Sequence, residues 1–191
     1  MQNTPPRPHT HAYLALSLDG RLAGPNDDLS WLNRYQHTEG TEGTEGPEPE
    51  DTGFSEHLAS VDTLLMGRRS YEVVRGFGEG AWPYSALRVR ILTHRPLTPA
   101  HGEEGRAGDI REVLTALHAE GARRVYVDGG EVIRQCLDAG ALDALTLFIA
   151  PTLLGDGPRL FDGALPRSEW RLVSSRSYAS GLLRAELVPA R

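Results

Sequence analysis

Residues 65–72 read Leu-Met-Gly-Arg-Arg-Ser-Tyr-Glu, and residues 125–133 read Val-Tyr-Val-Asp-Gly-Gly-Glu-Val-Ile. Each runs from an apolar, strand-like stretch through glycine into a segment able to start a helix. Such a junction presents unpaired backbone N–H groups and the positive end of a helix dipole, where a phosphate can sit. Two of them in one chain, one carrying the pair Arg68-Arg69, point to a pyrophosphate-bearing dinucleotide with an additional phosphate. Neither has the G-x-G-x-x-G spacing of the doubly wound dinucleotide fold, so that architecture loses its main support.

Outward from these junctions, strands are expected over residues 11–18, 63–66, 88–93, 124–127 and 144–150, with a closing hairpin over 170–178 and 182–188. Helices are expected over 54–61, 69–74 and 131–139, and another begins after Asp109, whose side chain suits an N-cap, and ends at Gly121. Leu29 to Tyr35 suits a single helical turn. Strands alternating with helices, then antiparallel strands, predict a mixed, mostly parallel sheet with helices on both faces. Residues 1–10 are rich in proline and polar residues and are expected to be a disordered tail. Residues 38–52, with their Thr-Glu-Gly repeat and Pro-Glu-Pro-Glu-Asp, hold no apolar residue and read as a mobile acidic insertion within a single domain over 11–191.

The chain has 191 residues, a net charge of −6 and 39% apolar residues, which suits one soluble domain. No apolar run approaches the roughly 20 residues of a membrane span and no signal-peptide core is present, so a cytoplasmic protein without a membrane partner is expected. All 20 basic residues are arginine. That excludes lysine Schiff-base chemistry and a lysine-dependent phosphate loop. The acidic balance argues against nucleic acid as a partner, so an anionic cofactor needs a local arginine cluster. The single cysteine, Cys136, cannot form an internal disulfide or a multi-cysteine zinc site, no metal site is expected, and a buried thiol suits its apolar helical pattern.

Met66-Gly67-Arg68-Arg69-Ser70-Tyr71-Glu72 after a strand, followed by Gly129-Gly130 opening a later helix, resembles the dihydrofolate reductase-like superfamily. Within it the chain is most similar to the reductase domain of the riboflavin-biosynthesis deaminase-reductase. Ser17 to Gly24, Leu92-Thr93-His94-Arg95 and Leu154-Gly155-Asp156-Gly157 extend the resemblance, which covers about residues 11–188 in the family's order. It implies a three-layer α/β fold, NADPH as cofactor, a small heterocyclic substrate and a homodimer. Strands 144–150 and 182–188 are the expected edges for pairing.

On that resemblance, Arg68 faces the 2′-phosphate of NADPH, a geometry a guanidinium fork suits; a solvated surface arginine is the alternative. Gly67, Arg69 and Ser70 complete the first phosphate junction, with Ser70 alternatively an N-cap. Thr93, His94 and Arg95 frame the adenosine end, where His94 and Arg95 can equally be loop residues. Gly129, Gly130, Glu131 and Val132 form the second junction, whose Gly-Gly peptide is often cis in this fold. Asp128 contacts substrate or supplies a proton, or else caps the following helix. Asp19 borders the nicotinamide, or is the turn residue of an Asp-Gly pair. Trp31, Glu56 and Trp82 are expected around the substrate, with Trp31 alternatively a core anchor and Glu56 a shifted version of the folate reductases' carboxylate.

Leu29 stands where riboflavin-pathway relatives place a phosphate-binding serine, and residues 75–84 lack their Asn/Asp-Pro-Arg segment. A flatter, less charged substrate follows. The expected function is NADPH-dependent hydride transfer to a pterin, pyrimidine or similar heterocycle. A catalytically silent dinucleotide-binding protein and a flavin- or mononucleotide-binding protein are the competing readings.

Overall fold

The apolar runs form the centre of one sheet. The structure, a computed structural model, describes residues 5–35, 51–78, 80, 82–163 and 165–190. Its strands are β1 (His9–Ser17), β2 (Thr63–Gly67), β3 (Arg88–Leu92), β4 (Glu104–Arg106), β5 (Arg124–Asp128), β6 (Ala144–Ala150), β7 (Trp170–Ser177) and β8 (Leu183–Pro189). They lie in the order β4-β3-β2-β5-β1-β6-β8-β7. Pairings from β4 through to β6 are parallel, and β8 runs antiparallel to both β6 and β7. Parallel strands covered on both faces cannot alternate in polarity, which is why β2 and β5 read as continuous apolar runs.

The helices are α1 (Phe54–Ala59), α2 (Arg68–Arg75), α3 (Ile110–Ala119) and α4 (Gly130–Asp138). On one face Ile110, Val113, Leu114 and Leu117 of α3 and Val132, Ile133 and Cys136 of α4 pack on Leu65, Val125, Val127 and Leu145. On the other, Phe54 and Leu58 of α1 and Tyr71 of α2 pack on Tyr13, Leu64, Met66, Tyr126 and Phe148. This is the expected mixed sheet with helices on both faces and a C-terminal antiparallel hairpin. Asp109 caps α3 as expected, its carboxylate accepting from the Arg111 N–H at 2.8 Å. Burial pushes the Cys136 thiol up to about 12. No helix among the described residues is long and apolar enough to cross a membrane.

Several expectations need correction. β1 begins at His9, inside the stretch read as a disordered tail, and Arg7 grips Asp143 with a two-pronged ion pair of 2.5 and 2.7 Å. The short strand β4 holds no apolar residue and gave no sequence signal. β6 and β8, read as edges for a dimer, are interior strands; the edges are β4 and β7. No cis peptide bond occurs among the described residues, so the Gly129–Gly130 bond is trans. The acidic insertion lies outside the described residues except Asp51 and Thr52, and the Thr52 carbonyl accepts from the Tyr13 hydroxyl at 2.7 Å.

Candidate cofactor and substrate site

β2 and β5 are parallel neighbours in register, with Met66 opposite Asp128, so the two glycine junctions leave the sheet side by side. A Cβ on Gly129, whose φ is +89°, would lie 2.5 Å from Ser70 Oγ and 3.5 Å from the Gly67 nitrogen. A Cβ on Gly130 would strike Leu22 Cδ1. Glycine at 129 therefore lets α2 and α4 start within contact of one another, and glycine at 130 admits Leu22 against the start of α4. The N-cap residues are Gly67 and Gly129, which have no side chain to cap with, and among the described residues no side chain bonds to either first turn. Those first-turn N–H groups are left for an outside acceptor. Both ends open on one cleft of about 1040 Å³ at the carboxyl ends of the parallel strands.

Gly67, Arg68, Arg69, Ser70, Thr93, His94, Gly129, Gly130, Glu131 and Val132 all line this cleft, so ten of the eleven expected cofactor residues are brought together. Arg95 is not among them; it is 71% exposed and lies 4.0 Å from Glu72. Arg68 donates from Nε to Glu72 at 2.7 Å and from one Nη to the Pro96 carbonyl at 2.7 Å, and among the described residues the other Nη is open. Arg69 is taken up by Asp27, through contacts of 2.9 and 2.7 Å to its two carboxylate oxygens. Ser70 sits inside the first turn of α2 and does not cap it. Uncapped amides, a partly free guanidinium and glycines that admit close approach fit the phosphates of a dinucleotide.

The other half of the cleft is aromatic. Tyr13, Phe54, Tyr84, Tyr126 and Phe148 line it, with Asp128 among them. The N-cap residue of α4 is Gly129, and Asp128 stands one residue before it with its carboxylate taking the Gly129 N–H. Burial drives its carboxyl up to about 6, offset only in part by the Gly129 N–H and the Tyr126 hydroxyl. Tyr126 Oη lies 3.0 Å from the Tyr13 carbonyl and 3.4 Å from Asp128 Oδ1. Its one proton goes to the nearer acceptor, and a protonated Asp128 can donate back to the phenol oxygen. Beneath this wall His57 stacks on Tyr13 at 4.7 Å and meets Tyr126 edge-on at 4.6 Å, which fixes both rings. Tyr84 is buried, and burial followed by the charge of Asp128 raises its phenol.

Four expected residues fall elsewhere. Asp19 does not line the cleft. Its carboxylate accepts from the Ser17 hydroxyl at 2.7 Å and from the Leu154 and Gly155 N–H groups at 3.0 and 2.9 Å. These bonds, that from Ser17 first, hold it well below the usual carboxylate range, so it is a loop latch and not a proton donor. Trp31 is buried in the core, Glu56 is exposed on α1, and Trp82 stacks on His101 at 4.6 Å, away from the cleft. Sequence reasoning missed Tyr13, Tyr84, Tyr126 and Phe148. For Tyr126 a signal existed, because it stands two residues before Asp128 on a strand and so shares its face.

Comparison with known proteins agrees with this geometry. The family model for the RibD C-terminal domain matches residues 8–184. The Bacillus subtilis (strain 168) protein YwjB is 26% identical over 175 residues, covering 91% of this chain and 94% of its own. A Shewanella sp. PV-4 protein provisionally assigned to riboflavin biosynthesis superposes with a TM-score of 0.84 at 26% identity, over 96% of this chain and 99% of its own. Enterococcus faecalis dihydrofolate reductase, solved in complex with NADP(H), shares the fold with a TM-score of 0.63 at 18% identity, over 96% of this chain and 97% of its own. With residues 8–184 matched by that family model, the chain belongs to the RibD C-terminal domain family.

Proposed function

We propose that this protein is an NADPH-dependent reductase acting on a C=N or C=O bond of a flat heterocycle, of the pterin or pyrimidine type, with Asp128 as proton donor. The observation that carries the reading is one cleft with two uncapped helix N-termini at one end and an aromatic wall around a single near-neutral carboxyl at the other. Family membership and the reductases that share the fold support an oxidoreductase.

The chemistry supplied by NADPH when bound is the hydride. This chain seats phosphates on the first turns of α2 and α4 and presents Arg68 to a further phosphate. Tyr13, Phe54 and Phe148 hold a planar acceptor and exclude water from it. Asp128, half protonated near pH 6, delivers a proton to a nitrogen or oxygen beside the reduced carbon.

Calorimetric titration with NADPH and NADH, on the protein and on Arg68→Ala, tests the cofactor assignment. The expected result is a preference for NADPH that falls about tenfold or more in the variant, with NADH affinity little changed. Equal affinities, or none, overturn it. Consumption of NADPH with a panel of pterins, pyrimidines, flavins and quinones separates a reductase from a silent dinucleotide binder, and a yellow purified protein signals a flavin instead.

A further inference from the structure

Four arginines line the cleft: Arg68, Arg69, Arg134 and Arg159. Three already have a carboxylate, since Arg68 pairs with Glu72, Arg69 with Asp27 and Arg134 with Glu131. Arg159 is exposed, and among the described residues its guanidinium has no acidic or carbonyl partner. An arginine in an ion pair must surrender that partner to bind an anion in full, whereas Arg159 surrenders only water.

The backbone that carries Arg159 is fixed even though its side chain is free. Arg159 forms an antiparallel bridge with Arg21, the Leu22 N–H donates to the Pro158 carbonyl at 2.8 Å, and the Leu160 N–H donates to Gly20 O at 3.3 Å. The Arg21 guanidinium donates to the Gly155 carbonyl at 2.7 Å and also to that of Gly157. Leu160, the next residue, is fully buried. Leu22 reaches from this ledge to Gly130, the first residue of α4, where a Cβ would strike its Cδ1. The ledge therefore abuts the helix end whose first-turn amides are uncapped.

We propose that Arg159 is a pyrophosphate clamp, closing from the ledge onto the diphosphate of a dinucleotide seated on the N-termini of α2 and α4. The proposal rests on reading the cleft as a dinucleotide site, and it assigns Arg159 and Arg68 to different phosphates. The diphosphate is common to NADPH and NADH, so Arg159→Ala should weaken both by the same factor, about tenfold. Arg68→Ala should weaken NADPH alone.

Calorimetry of the full chain, of Arg159→Ala and of Arg159→Lys with each cofactor decides the matter, with thermal melts to check that the variants fold as the parent does. An equal loss for both cofactors in Arg159→Ala, partly restored in Arg159→Lys, supports the clamp. If the parent binds NADPH and Arg159→Ala binds both cofactors within twofold of it, the clamp is wrong while the dinucleotide site stands. A loss confined to NADPH also overturns it, by moving Arg159 to the 2′-phosphate. If the parent binds neither cofactor, the dinucleotide reading and the clamp fall together.

Discussion

Asp19 and Asp128 show how little a residue's local sequence decides its chemistry. Both follow an apolar strand and precede a glycine. Asp19 receives four hydrogen bonds, one of them from Arg21, and stays ionised, whereas Asp128 is enclosed by aromatic rings and its carboxyl is raised to about 6 by burial. Because that pKa lies above the ordinary value, the folded state binds more protons than the unfolded one between about pH 4 and 6. Stability contributed by this group is therefore lost as pH rises through 6. Asp128→Asn should then stabilise the protein at pH 8 by about 3 kcal/mol, and by almost nothing at pH 4, as read from urea midpoints. The same variant should lower turnover by about 100-fold while leaving NADPH affinity unchanged. A variant that kept its turnover would remove Asp128 from the chemistry.

At the scale of elements, the site is a pair of strand-to-helix junctions made adjacent by the β2–β5 pairing. Gly129→Ala would place a methyl group 2.5 Å from Ser70 Oγ at a φ of +89°. The expected loss is about 2–4 kcal/mol of stability together with cofactor binding, measured by denaturant unfolding and calorimetry. A variant as stable as the parent would mean that the two junctions can separate freely. These junctions were legible in the sequence because each is a local event, apolar run to glycine to helix, within nine residues. The aromatic half was not, because it is assembled from β1, β5, β6, α1 and the loop holding Tyr84, far apart in sequence. Trp31 and Trp82 looked like pocket residues because a large aromatic serves a core and a binding wall equally well. Periodicity marks a residue as inward-facing but cannot say whether what it faces is packed or open. β4, three residues without an apolar side chain, left no pattern at all. α3 was legible end to end because its cap, its apolar stripe and Gly121 agree.

At the scale of the whole molecule, two histidines lie under the cleft wall, His57 buried and His11 half-buried. His57 is held down to about 3 and His11 to about 4, in both cases chiefly by burial. In the unfolded chain both take up a proton near pH 6.5, so their contribution to stability is lost as pH falls below that value. Acid should therefore loosen the wall that positions Tyr13 and Tyr126. In His57→Phe, the loss of stability between pH 7 and pH 5 should be smaller by roughly 1–2 kcal/mol, as read from urea midpoints at the two pH values. An unchanged loss would show that His57 is not the group being protonated. A different consequence attaches to β1, which comes before every other strand of the sheet in sequence and lies between β5 and β6 within it. Its register sets His11 against Tyr126 on one side and Ala144 on the other. During synthesis it must wait for most of the chain before either of its neighbours exists. Such distant pairings make folding slow and leave an unpaired strand available to other chains in the meantime. The ribosome thus releases the keystone of the sheet long before the arch that needs it, and assembly becomes a late, all-at-once event rather than one that follows the chain as it emerges.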